Sequence, residues 1–436
     1  MLRCLSTLVL ALAFALPAQA APPNVVLIVG DDQGAADYGF LGHEHIKTPH
    51  LDKFASEGLL FKRGYVPSSL CRASLACMIT GLYPHQHMIT SNDPPTPKGL
   101  TPGQANKDPG YLKQRQEMVA LFEKSPSLPK LLEKEGYTSY QAGKWWEGNS
   151  CRCGGFTEGM THGDPTKGGR HGDDGLKIGR EGLQPVFEFL DKAKKDSKPF
   201  FLWYAPMMPH QPHNPPERLL NKYKDKTKSI HVAKYWAMCE WFDETVGDLL
   251  AQLAKNGQVE NTIVIYLHDN GWIQDENKPV YAERSKRSQY DGGLRTPIIV
   301  RWPGHVKPGT SESLASSIDL APTILAAVGA KPTKDMQGIN LLDPHWVASR
   351  PMLFGEIYEH TAVDITKPVA NLQYRWVVDG NWKLIVPFEP NMKSAKVELF
   401  DLAKDPGEKM NLAATQPEKV VELTKKLDAW WKPVKE

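Results

Sequence analysis

Carboxylate and amide side chains stand directly after two apolar segments of the sequence. They are Asp31, Asp32, Asp269 and Asn270. In an open α/β sheet, ligands bind beyond the carboxyl ends of the strands, so two such ends would bring these oxygen atoms together. Oxygen-only ligands of this charge suit a hard cation, Ca²⁺ or Mg²⁺, better than zinc. Either pair alone is typical of an ordinary turn, and the prediction of a metal site depends on the two pairs meeting.

The elements that would position these residues alternate between strands and helices. Short apolar runs at 24–29, 200–204, 262–267 and 298–301 predict buried strands, and helical spacing at 127–135 and 232–255 predicts helices between them. The pattern indicates the α/β class, with a large, mostly parallel sheet sandwiched by helices. Long loops rich in Pro and Gly are expected at 93–110 and 148–175, with lengths typical of binding loops or lids.

The two ends of the chain differ from this pattern. Arg3, an apolar run at 5–16 and Ala18-Gln19-Ala20 predict a signal peptide at 1–20, and thus a secreted or periplasmic protein. After about residue 370, strands at 374–378, 382–386 and 396–400 and a helix at 417–431 predict a small antiparallel sheet plus helix. The expected organisation is therefore a catalytic α/β domain at 21–370 and a C-terminal α+β subdomain at 371–436.

Charge and cysteine content narrow the classes of partner. The net charge is +2 and no long basic run is present, so no nucleic-acid partner is expected. No segment reaches the length of a membrane span, since the apolar run at 5–16 is too short. Without Cys4 the mature chain keeps an odd number of cysteines, which suggests that one serves chemistry. Their disulfide pairing stays open.

A family resemblance begins at Cys71. The segment Cys71-Arg72-Ala73-Ser74-Leu75, continued by T-G-L-Y-P-H at 80–85, resembles the signature C-x-(P/A)-x-R of the formylglycine-dependent sulfatases of the alkaline-phosphatase superfamily, the arylsulfatase-like enzymes. The resemblance implies that this cysteine is oxidised to formylglycine. In the family the hydrated aldehyde supplies a metal-bound hydroxyl that attacks sulfur, and its second hydroxyl later expels sulfate.

Further family motifs occur in order along nearly the whole mature chain. They lie at 24–32, 48–58, 136–137, 143–145 (G-K-W), 209–212 (P-H-Q-P), 268–271 (H-D-N-G), 286–297, 319–323 and 399–406. The resemblance implies a metal centre, Ca²⁺ with Mg²⁺ as the alternative, held by Asp31, Asp32, Cys71, Asp269 and Asn270. It further implies that Lys144 and Lys286 hold sulfate oxygens. His210 would contact the sulfate or protonate the leaving oxygen, with a pKa near neutrality.

Two positions depart from the family pattern. Leu75 stands where the signature has arginine, and Trp146 stands where the motif G-K-W-H has histidine. The neighbouring Arg72 is expected to take over the arginine's role in holding the formylglycine. His268 or another nearby histidine is expected to take over the proton transfer.

Three functions follow from the sequence. The first is hydrolysis of sulfate esters on a sulfated carbohydrate or other small molecule, after maturation by a formylglycine-generating or sulfatase-maturing enzyme. The second is a phosphodiesterase or phosphonate monoester hydrolase of the same superfamily, because sulfate and phosphate share tetrahedral geometry. The third is a catalytically silent protein that binds sulfated glycans, an alternative supported only by Leu75 and Trp146.

Overall fold

A computed structural model describes residues 21–164 and 169–434. The predicted signal peptide at 1–20 lies outside these residues. None of the helices in the described ranges is long and apolar enough to cross a membrane.

The described chain alternates between strands and helices through most of its length. The strands are β1 (Asn24–Gly30), β2 (Leu59–Tyr65), β3 (Thr138–Gly143), β4 (Glu158–Gly159), β5 (Phe200–Ala205), β6 (Thr262–His268), β7 (Arg295–Arg301), β8 (Gly309–Ser316), β9 (Met352–Tyr358), β10 (Leu372–Asp379), β11 (Trp382–Pro387) and β12 (Glu398–Asp401). The α-helices are α1 (Pro49–Glu57), α2 (Cys71–Thr80), α3 (Pro84–His87), α4 (Pro102–Ala105), α5 (Pro109–Glu123), α6 (Leu128–Glu133), α7 (Gln184–Lys195), α8 (Glu217–Tyr223), α9 (Ile230–Lys255), α10 (Asp291–Leu294), α11 (Leu320–Ala327), α12 (Pro344–Ser349), α13 (Pro368–Asn371) and α14 (Pro417–Trp430).

The central sheet has eight strands in the order β4-β3-β5-β1-β6-β7-β2-β8. Strand β7 runs antiparallel to β6 and β2, and the other neighbouring pairs are parallel. The prediction of a large, mostly parallel sheet with helices is therefore confirmed.

Strand β1 shows why an unbroken apolar run forms the middle of this sheet. All seven of its residues are buried. Because side chains alternate between the two faces of a strand, Val25 and Leu27 join one hydrophobic core while Val26 and Ile28 join the other. Both faces are covered, so a polar residue on either face would be costly, and the run contains none between Asn24 and Gly30.

The predicted loop at 93–110 is wrong in its second half. It contains the short helix α4 and the beginning of helix α5. Two of the prolines that suggested a loop, Pro102 and Pro109, stand at the first position of these helices, where the missing N–H costs nothing. Asp108 caps α5 by accepting a hydrogen bond of 2.8 Å from the backbone nitrogen of Tyr111.

The small C-terminal sheet is antiparallel, in the order β12-β11-β10-β9, and helix α14 packs on it through Leu423 and Leu427. The sequence predicted three strands and missed β9. Gly355 in the middle of β9 interrupts the strand pattern, yet the position requires glycine. A Cβ atom there would lie 2.3 Å from the carbonyl oxygen of Pro67 and from the ring of Trp376.

A buried ion cluster joins this sheet to the central domain. Lys383 of β11 is fully buried, and its Nζ lies 2.7 Å from Asp291 Oδ1 and 2.7 Å from Glu408 Oε1. Glu408 also accepts a hydrogen bond from the backbone nitrogen of Asp291. One ammonium group therefore offsets two buried carboxylates at the contact between the two sheets.

Replacing Lys383 with methionine should lower the free energy of unfolding by about 3–5 kcal/mol, because buried Glu408 loses its counter-charge and Asp291 keeps only the more distant Arg295, at 3.5 Å. Urea unfolding measures the change. The matched control is Lys404→Met, which removes an exposed lysine 3.3 Å from Asp401 and should cost less than about 1 kcal/mol. Equal effects of the two substitutions would show that the Lys383 cluster does not hold the sheets together.

Candidate active site

Two neighbouring strands bring the predicted oxygen ligands together. Strands β1 and β6 are parallel, with Gly30 opposite His268, so the residues that follow them meet at one edge of the sheet. The backbone nitrogen of Asp32 donates to Asp269 Oδ1 at 3.2 Å. Asn270 Nδ2 donates to Asp32 Oδ1 at 2.7 Å. Asp31 is buried beside them at the end of β1.

The backbone has unusual conformations after β1 and at the end of β3. Asp32 has a φ of 62°, in the left-handed region, where a non-glycine residue costs about 1–3 kcal/mol and which recurs at functional sites. Gly143, just before Lys144, has a φ of +99°, and a Cβ atom there would lie 2.0 Å from the carbonyl oxygen of Ala205. Only glycine fits this approach, which turns Lys144 towards the end of β1.

Two buried lysines pair with the carboxylates. Lys144 Nζ lies 2.8 and 2.7 Å from the two oxygens of Asp31, and 3.5 Å from Asp269 Oδ2. Lys286 Nζ lies 2.7 Å from Asp32 Oδ2. Burial opposes the charge of both lysines, but the nearby carboxylates outweigh it and raise the pKa of each. Both are therefore ammonium groups at pH 7.

The three carboxylates carry more charge than the two lysines balance. Burial and the neighbouring Asp31 raise the pKa of Asp269 to about 7. Burial acts in the same direction on Asp32, but the charges of Lys286 and His210 outweigh it and lower its pKa to about 2. Ligand atoms of Asp31, Asp32, Cys71 and His210 lie within 4.8 Å of one another. This cluster fits a metal cation, and its two carboxylates, with the Asp269 carboxylate and the Asn270 amide beside Asp32, offer the oxygen atoms that a hard cation prefers.

Cys71 begins helix α2 at the same place. Its Sγ donates a hydrogen bond of 3.4 Å to Asn270 Oδ1. Burial raises the pKa of the Cys71 thiol to about 12, so an unmodified Cys71 is neutral at pH 7. Cys71 is therefore a buried cysteine at a helix start and a neighbour of the predicted ligands.

His210 approaches from the loop after β5. Its Nε2 lies 3.3 Å from Asp32 Oδ2, and its Nδ1 bonds the carbonyl oxygen of Gln211 at 2.7 Å. The expected near-neutral pKa is wrong for this structure, because burial lowers the pKa of His210 to about 4. The imidazole is neutral at pH 7, before any anion lies beside it.

These side chains line a cavity of about 180 Å³, called here the Cys71 cavity. Of the predicted residues it contains Asp32, Cys71, Lys144, His210 and Lys286. The lining also contains two arginines and two histidines that the sequence did not predict, Arg170, His171, Arg287 and His360. Their cationic members join the two lysines around a single lining carboxylate, Asp32, so the cavity attracts anions. The length of the loop at 148–175 was the signal that could have found the first two.

Arg72 is placed differently from the expectation. Its Nε and Nη2 donate to the two oxygens of Glu147 at 2.7 and 2.6 Å, and both side chains are buried. Arg72 lines the cavities next to the Cys71 cavity and is absent from the lining of the Cys71 cavity itself. Arg72 is therefore paired with Glu147 and not with one of the carboxylates at the ends of β1 and β6.

The two departures from the family pattern lie side by side. Leu75 and Trp146 line the same small cavity and belong to the same hydrophobic core, together with Phe122. Two apolar side chains therefore line one cavity where the family pattern has an arginine and a histidine. His268, a predicted substitute, is fully buried, bonds the carbonyl oxygen of Asn270 through Nδ1 and stacks on Tyr38.

The large mixed sheet with its helices and the small antiparallel sheet form the alkaline-phosphatase-like fold. Residues 23–330 match the Sulfatase family, and residues 281–432 match the family described as N-sulphoglucosamine sulphohydrolase, C-terminal. The chain therefore belongs to the sulfatase family and is a sulfuric ester hydrolase.

Two curated relatives agree with this assignment, and two solved structures share the fold. N-acetylgalactosamine-6-sulfatase of Rattus norvegicus is 28% identical over 91% of this chain and 82% of its own length. Arylsulfatase A of Homo sapiens is 29% identical over 77% and 70%. The structure of BT4656 in complex with D-glucosamine-2-N,6-O-disulfate superposes with a TM-score of 0.71, at 20% identity, over 94% of this chain and 97% of that one. The phosphonate monoester hydrolase of Agrobacterium radiobacter superposes with a TM-score of 0.70, at 18% identity, over 93% and 95%.

Adding Ca²⁺ or Mg²⁺ to cation-stripped protein should raise its melting temperature, because a cation that binds only the folded state stabilises it by about 2.7 kcal/mol at a hundredfold excess over Kd. Differential scanning calorimetry measures the shift. Asp269→Asn should abolish most of it, and the exposed Asp225→Asn should leave it unchanged. An equal rise in wild type and Asp269→Asn would contradict a cation site at these strand ends.

Proposed function

We propose that this chain hydrolyses sulfate esters of carbohydrates, using a formylglycine derived from Cys71 and a divalent cation, Ca²⁺ with Mg²⁺ as the alternative. One observation supports this proposal above the others. The thiol of Cys71 bonds Asn270 within a cavity that also contains Lys144, Lys286 and His210. A nucleophile, a candidate cation site and anion-binding side chains therefore adjoin one another.

In the proposal, Asp31, Asp32, Asp269 and Asn270 hold the cation. The cation and the formylglycine supply positive charge and a nucleophilic oxygen at position 71. The remaining chemistry belongs to the side chains around them. Lys144 and Lys286 now balance Asp31 and Asp32. With Asp31 and Asp32 serving as cation ligands, the two ammonium groups would be free to bind sulfate oxygens, where negative charge develops.

His210 and Arg72 have different proposed roles. His210 lines the cavity, where its imidazole contacts the sulfate or gives a proton to the leaving oxygen. Arg72 fixes the start of helix α2 through its buried pair with Glu147, and does not touch the substrate. The role expected for Arg72 beside the formylglycine is therefore not part of this proposal.

The substrate class and the setting of the enzyme belong to the same proposal. The rat relative is named for a sulfated amino sugar, and the BT4656 structure contains a sulfated glucosamine. A sulfated glycan is correspondingly proposed here, with export by the signal peptide at 1–20 and maturation by a formylglycine-generating or sulfatase-maturing enzyme. A C-terminal subdomain is proposed from residue 371, and the segment that precedes it contributes His360, which follows β9 and lines the cavity.

A mass spectrum of the peptide containing Cys71, from protein exported by its natural host, tests the nucleophile. Formylglycine appears as a side chain that has exchanged sulfur and two hydrogens for one oxygen. Such protein should hydrolyse a chromogenic aryl sulfate faster than a phosphate diester, and Cys71→Ala should be inactive on both. Unmodified cysteine in an active preparation would refute the formylglycine mechanism. Preference for the diester would favour the phosphodiesterase alternative.

Replacing Lys286 with methionine should lower kcat/KM for an aryl sulfate by about 10²–10³-fold, the loss typical of one oxyanion-stabilising donor. Lys278→Met, in the same loop but exposed, is the matched control and should leave the kinetics unchanged. Melting temperatures of both variants separate a catalytic effect from unfolding. Unchanged kinetics in a folded Lys286→Met enzyme would remove Lys286 from the site.

A further inference from the structure

Position 146 and position 75 are apolar, so the wall of the Cys71 cavity lacks the arginine and the histidine that the motifs would place there. The structure offers another pair at this wall. Arg170 and His171 come from the long loop between β4 and α7, and both line the cavity with Cys71 and Lys144. Neither residue belongs to a motif that the sequence identifies.

Trp146 holds this pair in place. The guanidinium carbon of Arg170 lies 4.7 Å from the centre of the Trp146 ring, and the His171 ring lies 5.0 Å from it. Arg170 Nε also donates to Asp93 Oδ1 at 2.8 Å. The carbonyl oxygen of His171 accepts a hydrogen bond of 3.1 Å from the backbone nitrogen of Trp145. Trp146 stands where the motif has a histidine, and its ring contacts the ring of another histidine, His171.

The imidazole of His171 has hydrogen-bonding capacity that the protein does not use. Its Nδ1 is buried and has no partner within residues 21–164 and 169–434. A buried polar group without a partner costs about 1–3 kcal/mol, so such a group needs an explanation. His213 and His268 also have a buried nitrogen without a partner in these ranges, but neither lines the Cys71 cavity.

We infer that His171 is an anion-contacting residue of the active site and that Arg170 supplies positive charge beside it, so that the pair performs the work of the residues missing at 75 and 146. This inference rests on the proposed function, since it assigns two residues to the binding of the sulfate group. Here the imidazole donates a hydrogen bond to the bound sulfate group. Arg170, anchored by Asp93 and Trp146, adds a fixed cation to the lining of the cavity.

Binding of inorganic sulfate to the cation-loaded Cys71→Ala protein tests this inference without depending on modification or turnover. Isothermal titration calorimetry should give a Kd about tenfold weaker when His171→Ala is added, corresponding to one lost hydrogen bond to a charged group. His171→Gln and His171→Asn keep a donor near one ring nitrogen each, and at least one of them should restore most of the affinity.

The matched control is His162→Ala, since His162 stands in the same loop and lines the neighbouring cavity. It should change the Kd by less than about a factor of two, as expected for a residue away from the site. A folded His171→Ala protein that binds sulfate as tightly as the control would overturn the inference. Absence of aryl sulfate turnover by the modified wild-type enzyme would instead overturn the proposed function, and the sulfate titration would still decide the role of His171.

Discussion

The structure depends on keeping three carboxylates buried at the ends of two adjacent parallel strands. Asp31, Asp32 and Asp269 lie where β1 and β6 end, and taking such groups out of water is costly unless they are paired. The surrounding sequence supplies what this requires. Glycine at 143 lets Lys144 turn in, the left-handed backbone at Asp32 directs its carboxylate, and Lys286 reaches it from a long loop. Ion pairs therefore hold together side chains that are far apart in the sequence.

The C-terminal sheet is linked to these buried carboxylates through the loop that contains Lys286. Lys286 lies on the loop that precedes helix α10, and Asp291 at the start of that helix bonds Lys383 and Glu408 of the C-terminal part. A displacement of that sheet would move Asp291 and, with it, the loop that positions Lys286. The second sheet thus supports the site through a buried ion cluster five residues away from a lysine that touches Asp32.

The sequence predicts well what periodicity and strand-end chemistry control. The central strands, the convergence of Asp31, Asp32, Asp269 and Asn270, and the approach of Lys144 and Lys286 follow from apolar runs and motifs. It predicts poorly what depends on close packing or burial. Strand β9 is hidden by Gly355, whose absent side chain makes room for Trp376, and the pKa of His210 depends on desolvation by residues distant in sequence. Arg170 and His171 belong to no motif, so only the folded loop reveals their place.

Leu75 and Trp146 are the two changes that the proposed site has to accommodate. An arginine at 75 would need a partner in a region that already contains the buried Arg72–Glu147 pair, whereas Leu75 lines the same small cavity as Trp146 and has no charge to satisfy. The indole then offers its face to a cation, which a histidine at 146 would do less well. Arg170 lies over that face and is held by Asp93, and His171 follows it into the cavity. Under the proposed function, the site requires positive charge and a hydrogen-bond donor beside residue 71, and Arg170 and His171 supply both from the loop between β4 and α7.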